Sequence, residues 1–308
     1  MISSLTAFLG FAAISTVWQP APDASASNCR VSRETVRLDD LPEASGAAAS
    51  RRTPGVFWAH NDSGEPVIFA LDLQGAVKGR VRVTGATVDD WEDMAVGPCP
   101  QGSCVYIADI GDNNGSRKRI TLYRVAEPAP GDAATAPVEV FHAGYPDGPH
   151  DAESVFVTRD ADVFVVTKGD PGSVALYRFP PRLASGTTVQ LQQVGEPMAG
   201  HDVDARDRPT GADASSDGDW IAVRTTHWVA FYRAADLISG RWREAFRMDL
   251  SGLREPRGEG IAFAGGEAAR ARGAGARGIH EIVLVGEAGG VLRGSGTFAR
   301  LACTLTAR

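Results

Sequence analysis

The sequence has no apolar run long enough to cross a bilayer. Its N-terminal run at residues 5–17, LTAFLGFAAISTV, has 13 residues, against the roughly 20 that a spanning helix needs. An excess of bases is also missing: 31 Lys and Arg stand against 38 Asp and Glu, a formal charge of −7. That leaves no basic footprint for nucleic acid and does not favour adhesion to anionic lipid. Helical patterns longer than about ten residues are absent, which weighs against a doubly wound α/β fold. No G-x-S-x-G elbow, P-loop or H-E-x-x-H occurs, so the common serine hydrolases, nucleotide kinases and zincins fall away. The four cysteines show no C-x-x-C and no nearby His pair, which argues against a zinc site.

What is present is turn chemistry. Gly and Pro together make 53 of 308 residues, 35 and 18 respectively, so short elements and many turns are expected. Hydrophobic residues at 43% and charged residues at 22% suit a globular chain with a sizeable core. The apolar run is followed by polar sequence and then Ala24-Ser25-Ala26. That order predicts a signal peptide over 1–26 and a mature domain over 27–308, secreted or periplasmic. All four cysteines lie in the mature part, and an even count in an exported chain suggests disulfides. Cys99 and Cys104 flank the turn segment Pro100-Gln101-Gly102-Ser103 and are expected to pair, which leaves Cys29 with Cys303.

Five segments share one plan: an acid, small or apolar residues, a polar turn, then two β-rich runs. They begin at Glu43, Glu92, Glu153, Asp213 and Glu259, spaced 49, 61, 60 and 46 residues apart. The second runs are GVFWAHND, CVYIADIGD, DVFVVTK, DWIAVRT and HEIVLVGE, and Tyr-Arg recurs in the third runs at 123–124, 177–178 and 232–233. Such a period of short β-rich units predicts an all-β fold, a single β-propeller with one four-stranded blade per unit. Five blades are expected, or six if residues 30–38 and 298–306 form more than the edge of the last one. Fourth runs are visible as TVQLQQV at 188–194 and REAFRMDL at 243–250, and 264–278 reads as a flexible loop. Pairing of the two terminal strands would close the ring, with Cys29–Cys303 as its clasp.

If the first two runs of each unit are antiparallel neighbours, the start of the first and the end of the second share one end of the blade. Glu43, Glu92, Glu153, Asp213 and Glu259 then gather with His60-Asn61-Asp62, Asp109, Lys168, Arg224 and Glu287 around one channel mouth. Converging acids need compensation. Two pictures satisfy this: a hard cation such as Ca²⁺ or another divalent ion, with an anionic ligand bridged to it, or a plug of ion pairs through Lys168 and Arg224. The loop Asp109-Ile110-Gly111-Asp112-Asn113-Asn114-Gly115 is dense in oxygen donors but is no EF-hand, since Ile120 stands where the bidentate Glu belongs. His150 and His60 are candidate general bases near neutral pH.

The strings WAHNDSG, DDWEDMA, YIADIGDN, LYRVAEP, YPDGPHDAES, TGADASSDG and GEGIAF resemble a group of exported bacterial β-propeller proteins, over about residues 43–290. More distantly, the plan is similar to NHL-type and gluconolactonase-like propellers, some of which are metal-dependent lactonases or esterases. The resemblance implies a divalent cation held by Glu92, Asp109 and Glu153, with Asn61 as an amide ligand. Lys168 and Arg224 depart from that pattern, placing bases where neutral or acidic donors suit a metal. The combined expectation is a monomeric, calcium-dependent hydrolase of an ester, lactone or phosphoester. In it Lys168 or Arg224 holds an anionic group and a ring acid or His150 moves the proton. A non-catalytic propeller that binds a small ligand or a protein segment is the alternative.

Overall fold

Residues such as Val163–Thr167, VFVVT, are buried on both faces of their strand. Successive side chains of a strand point to opposite sides, so Val163 and Val165 pack toward one neighbouring sheet while Phe164 and Val166 pack toward the other. This is the pattern of a blade sandwiched between two blades, and it repeats around the molecule. The computed structural model describes residues 27–169, 173–195, 207–264, 278–288 and 294–306. The expected signal peptide and nearly all of the 264–278 loop lie outside these residues.

Five sheets, antiparallel apart from one added strand in blade 2, form a five-bladed β-propeller. From the axis outward, blade 1 runs Ala44–Ala49, Phe57–Asn61, Val67–Leu71, Val77–Arg82, and blade 2 runs Trp91–Cys99, Gly102–Asp109, Ile120–Ala126, Glu139–Gly144. Blade 3 comprises Ala152–Val157, Val163–Thr167, Leu176–Arg178 and Gln192–Gly195; blade 4 comprises Gly211–Ala214, Trp220–Arg224, Trp228–Arg233 and Glu244–Asp249. Blade 5 takes Arg257–Phe263, Ile279–Glu287 and Gly296–Thr304 from the C-terminal part and its outermost strand, Asn28–Leu38, from the N-terminal part. The terminal segments therefore complete the fifth blade. One run behaves differently from the expectation: 188–194 divides between two blades. Thr188–Gln190 pairs in parallel with Glu139–Gly144 of blade 2, and only Gln192–Gly195 joins blade 3. The cause is Leu191 between them, buried in the core that blades 2 and 3 share, with its N–H bonded to Gly144 O at 2.9 Å.

The core is five apolar layers, one between each pair of neighbouring blades. Trp58 and Trp91 anchor the layer between blades 1 and 2, and stacked Phe156 and Phe164 that between blades 3 and 4. Near the axis five strands crowd together, and the inner strand ASGAAA of blade 1 is small throughout. Gly260 shows how tight the fit is, since a Cβ there would lie 2.3 Å from Ser45 O of the adjoining blade. Both expected disulfides form. Cys29 sits opposite Cys303 in the closing strand pair and is bonded to it, and Cys99 is bonded to Cys104. In the chain-entropy account a clasp around 274 residues of separation contributes roughly 5 kcal/mol.

Candidate functional site at the channel mouth

In each blade the start of the inner strand lies opposite the end of the second: Ala44 faces Asn61, Trp91 faces Asp109, Ala152 faces Thr167, Gly211 faces Arg224 and Arg257 faces Glu287. The expected residues therefore collect at one end of the channel, but they divide by depth and by partner.

Glu92, Glu153 and Asp151 form the centre. All three are buried, and each offers a carboxylate oxygen within 4.8 Å of the others. Lys168 extends from the end of the second strand of blade 3 to pair with Glu153 and, at 3.3 Å, with Asp151. Burial works against its ammonium, but Glu153, Asp151 and Glu92 outweigh that and raise its pKa, so it stays charged. Glu92 is pushed well above the usual carboxylate range, first by burial and then by Glu153 and Asp90. Glu153 is raised by burial, with Lys168 pulling the other way.

The DIGDN loop is the frame for this centre. Asp112 donates its backbone N–H to Asp151 Oδ1 at 2.8 Å, and its own carboxylate accepts the N–H groups of Ser116 and Arg117 at 2.9 and 2.7 Å. Asp109 accepts the N–H groups of Asp89 and Asp90 and pairs with Arg117, so it acts as a strut beside the three carboxylates. Gly111 lies so close that a Cβ would come within 2.3 Å of Glu92 Oε1 and 2.4 Å of Asp90 Oδ2.

Other expected residues sit further out or deeper. Asn61 Oδ1 accepts the Glu43 N–H at 3.1 Å. Glu259 is buried and pairs with Arg257 at 2.7 Å, and Arg257 also holds Glu287 at 2.9 Å. Arg224 is fully buried and donates to Gly260 O, Val285 O and Glu255, which makes it a clamp between blades 4 and 5. Asp213 lies below the mouth, with its carboxylate accepting the N–H groups of Ala214 and Phe263 at 2.8 and 2.7 Å. His60 is enclosed against Trp91, and burial lowers its pKa to about 4. His150 is held by Asp147 at 3.0 Å and by the Tyr177 hydroxyl at 3.0 Å, one residue from Asp151.

Sequence reasoning missed Asp151, Asp90, Arg257 and Glu255. Asp151 stands two residues before Glu153 and Asp90 two before Glu92. The shared acid-x-Glu pattern entering two consecutive inner strands is the signal that points to both.

No family model matches the chain, and no curated protein does. Among solved structures it is similar to the PQQ-bound form of aldose sugar dehydrogenase from Streptomyces coelicolor. The two share 12% identity over 92% of this chain and 100% of that one, with a TM-score of 0.50. A likeness at that identity speaks for the propeller fold and for no activity. The two disulfides fit an oxidising compartment, and no helix among the described residues is long and apolar enough to cross a membrane.

Proposed function

We propose that the mouth binds a hard divalent cation, Ca²⁺ foremost, on Glu92, Asp151 and Glu153, and that this exported protein hydrolyses an ester, lactone or phosphoester there. One observation carries the reading: three buried carboxylates converge within 4.8 Å and share a single ammonium. Counted as ionised, the three carboxylates outnumber their ammonium by two, and a divalent ion would balance that excess and hold Glu92 and Glu153 ionised against the upward push of burial. Bound there, the cation would polarise the substrate oxygen and acidify a water. Lys168, at the edge of the cluster and 13% exposed, is the group that grips an anionic substrate. Arg224 cannot share that task, with its guanidinium enclosed and committed to blade 5. His150, fixed by Asp147 and Tyr177, moves the proton between substrate and solvent.

The PQQ of the structural neighbour does not fit this donor set. It is a polycarboxylate, and the centre of the mouth is itself three buried carboxylates, Glu92, Asp151 and Glu153, around one ammonium. A second reading rests on Lys168, which bridges Asp151 and Glu153 by itself and so resembles a closed ion-pair plug. Under it the mouth is a non-catalytic binding surface. A screen of lactones, aryl esters and phosphoesters with and without Ca²⁺ separates the two. The hydrolase reading expects Ca²⁺-dependent turnover that is lost in Glu153→Gln with folding intact; turnover insensitive to both chelator and substitution rejects it.

A further inference from the structure

Away from the channel, a cavity of 260 Å³ lies between blades 3 and 4, walled by Trp228, Tyr232, Trp242, Asp207, Glu244 and Arg247. Its origin is a mismatch of strand length. The third strand of blade 3 has three residues, Leu176–Arg178, and that of blade 4 has six, Trp228–Arg233. Alternation along the longer strand puts Trp228, Ala230 and Tyr232 on the face toward blade 3, where, among the described residues, no strand covers part of that face. Val174 and Val223 close the apolar floor.

We infer that this cavity is a binding site for a single pyranose ring, separate from the carboxylate centre. The walls offer what a sugar needs on its two kinds of surface. Tyr232 and Trp242 meet edge to face at 5.7 Å and present aromatic surface to the apolar C–H face of a ring. Around them stand acceptors and donors for hydroxyls: Asp207, which already orients the Trp228 indole N–H at 2.7 Å, and the Glu244–Arg247 ion pair at 2.5 Å. The Trp242 indole N–H is enclosed and has no hydrogen-bond partner among the described residues, an unmet donor on a side chain that lines the cavity. A cationic ligand suits the cavity less well, because the Arg247 guanidinium already lies 4.0 Å over the Trp228 ring. The volume is below the roughly 300–1,000 Å³ of sites for drug-sized molecules, which limits the occupant to one ring.

The test is a titration of the full chain, in EDTA, with methyl α-glucopyranoside, methyl β-galactopyranoside and N-acetylglucosamine, read by tryptophan fluorescence and ligand-observed NMR. At least one sugar is expected to bind saturably, roughly tenfold or more weakly in Trp242→Ala, and unchanged in Glu92→Gln. Arg247→Ala, at a half-exposed side chain, keeps the test decisive if the tryptophan variant fails to fold, and the same weakening is expected of it. Absence of binding by all three sugars overturns the inference. So does binding that survives the substitutions, or a cavity that takes tetramethylammonium or phenol while refusing the sugars.

Discussion

Glu92 and Asp93 are neighbours on one strand, yet they belong to two regions of the channel that solve opposite problems. At the waist, Asp93 is fully buried and its carboxylate accepts backbone N–H groups from Met94 at 2.8 Å, Val155 at 2.9 Å and Ala212 at 3.2 Å. One side chain thereby ties blades 2, 3 and 4, and Asp213 ties blade 4 to blade 5 in the same manner. Burial still pushes the Asp93 carboxyl upward, while these N–H groups pull it back. At the mouth, Glu92, Asp151 and Glu153 receive far less: one ammonium and the N–H of Asp112. An acid at the waist is satisfied by the fold itself, whereas the acids at the mouth are left in excess, and an excess of buried charge is where a ligand is to be sought.

The largest break of this contrast is expected at the waist. Asp93→Ala leaves three buried N–H groups without their acceptor and should cost roughly 3–5 kcal/mol in urea denaturation. A loss below about 1 kcal/mol would show that Asp93 does not staple the blades.

A second break comes from pH. His60 is enclosed near the axis, and its folded pKa of about 4 lies below its ordinary 6.5. Above 6.5 the ring is neutral folded or unfolded, and its contribution to stability is complete. Between 6.5 and about 4 the unfolded chain takes up the proton first, so stability falls with pH, by roughly 3 kcal/mol over the window. Asp62 acts in the other direction: burial, then Glu43 and Glu287, raise it to about 7, so its contribution grows as pH falls below 7. The comparison of wild type with His60→Gln isolates the histidine. The variant should lack that part of the acid slope, and identical slopes would reject the assignment.

The smallest effect sharpens the comparison most. Without a cation, Glu92→Gln removes one member of a like-charged cluster, so the thermal midpoint should hold or rise slightly, by less than about 1 kcal/mol in stability. A loss as large as that of its neighbour Asp93 would mean that the mouth is as fully satisfied as the waist.

The fold was legible because its signals are local and repeated: five acid-led units, turns between short apolar runs, and cysteines in the first and last strands of the propeller. The site was legible only in part. The pattern named Glu92 and Glu153, which converge in one buried cluster, but Asp213 carries a similar place in the sequence pattern and a different one in space. It occupies the position of Asp93, one residue deeper than Glu92, when the strands are aligned through Trp91 opposite Asp109 and Gly211 opposite Arg224. A shift of one residue in a strand sends the side chain to the other face, and no pattern of acids reveals which register a blade adopts. Arg224 and Asp109 illustrate the same limit. Their residue types suit a ligand site, but their partners, Gly260 O and Val285 O for one and Arg117 for the other, come from segments that only the fold brings near.

The central claim is that the excess carboxylates of the mouth hold a divalent cation. Calorimetric titration of chelator-stripped protein with Ca²⁺, paired with thermal unfolding, tests it most directly. The account predicts one saturable site with a rise in Tm of a few degrees or more in the wild type, and neither signal in Glu153→Gln. A flat titration with an unmoved Tm in the wild type would contradict it, and would leave Lys168 as the counter-charge paired with Asp151 and Glu153.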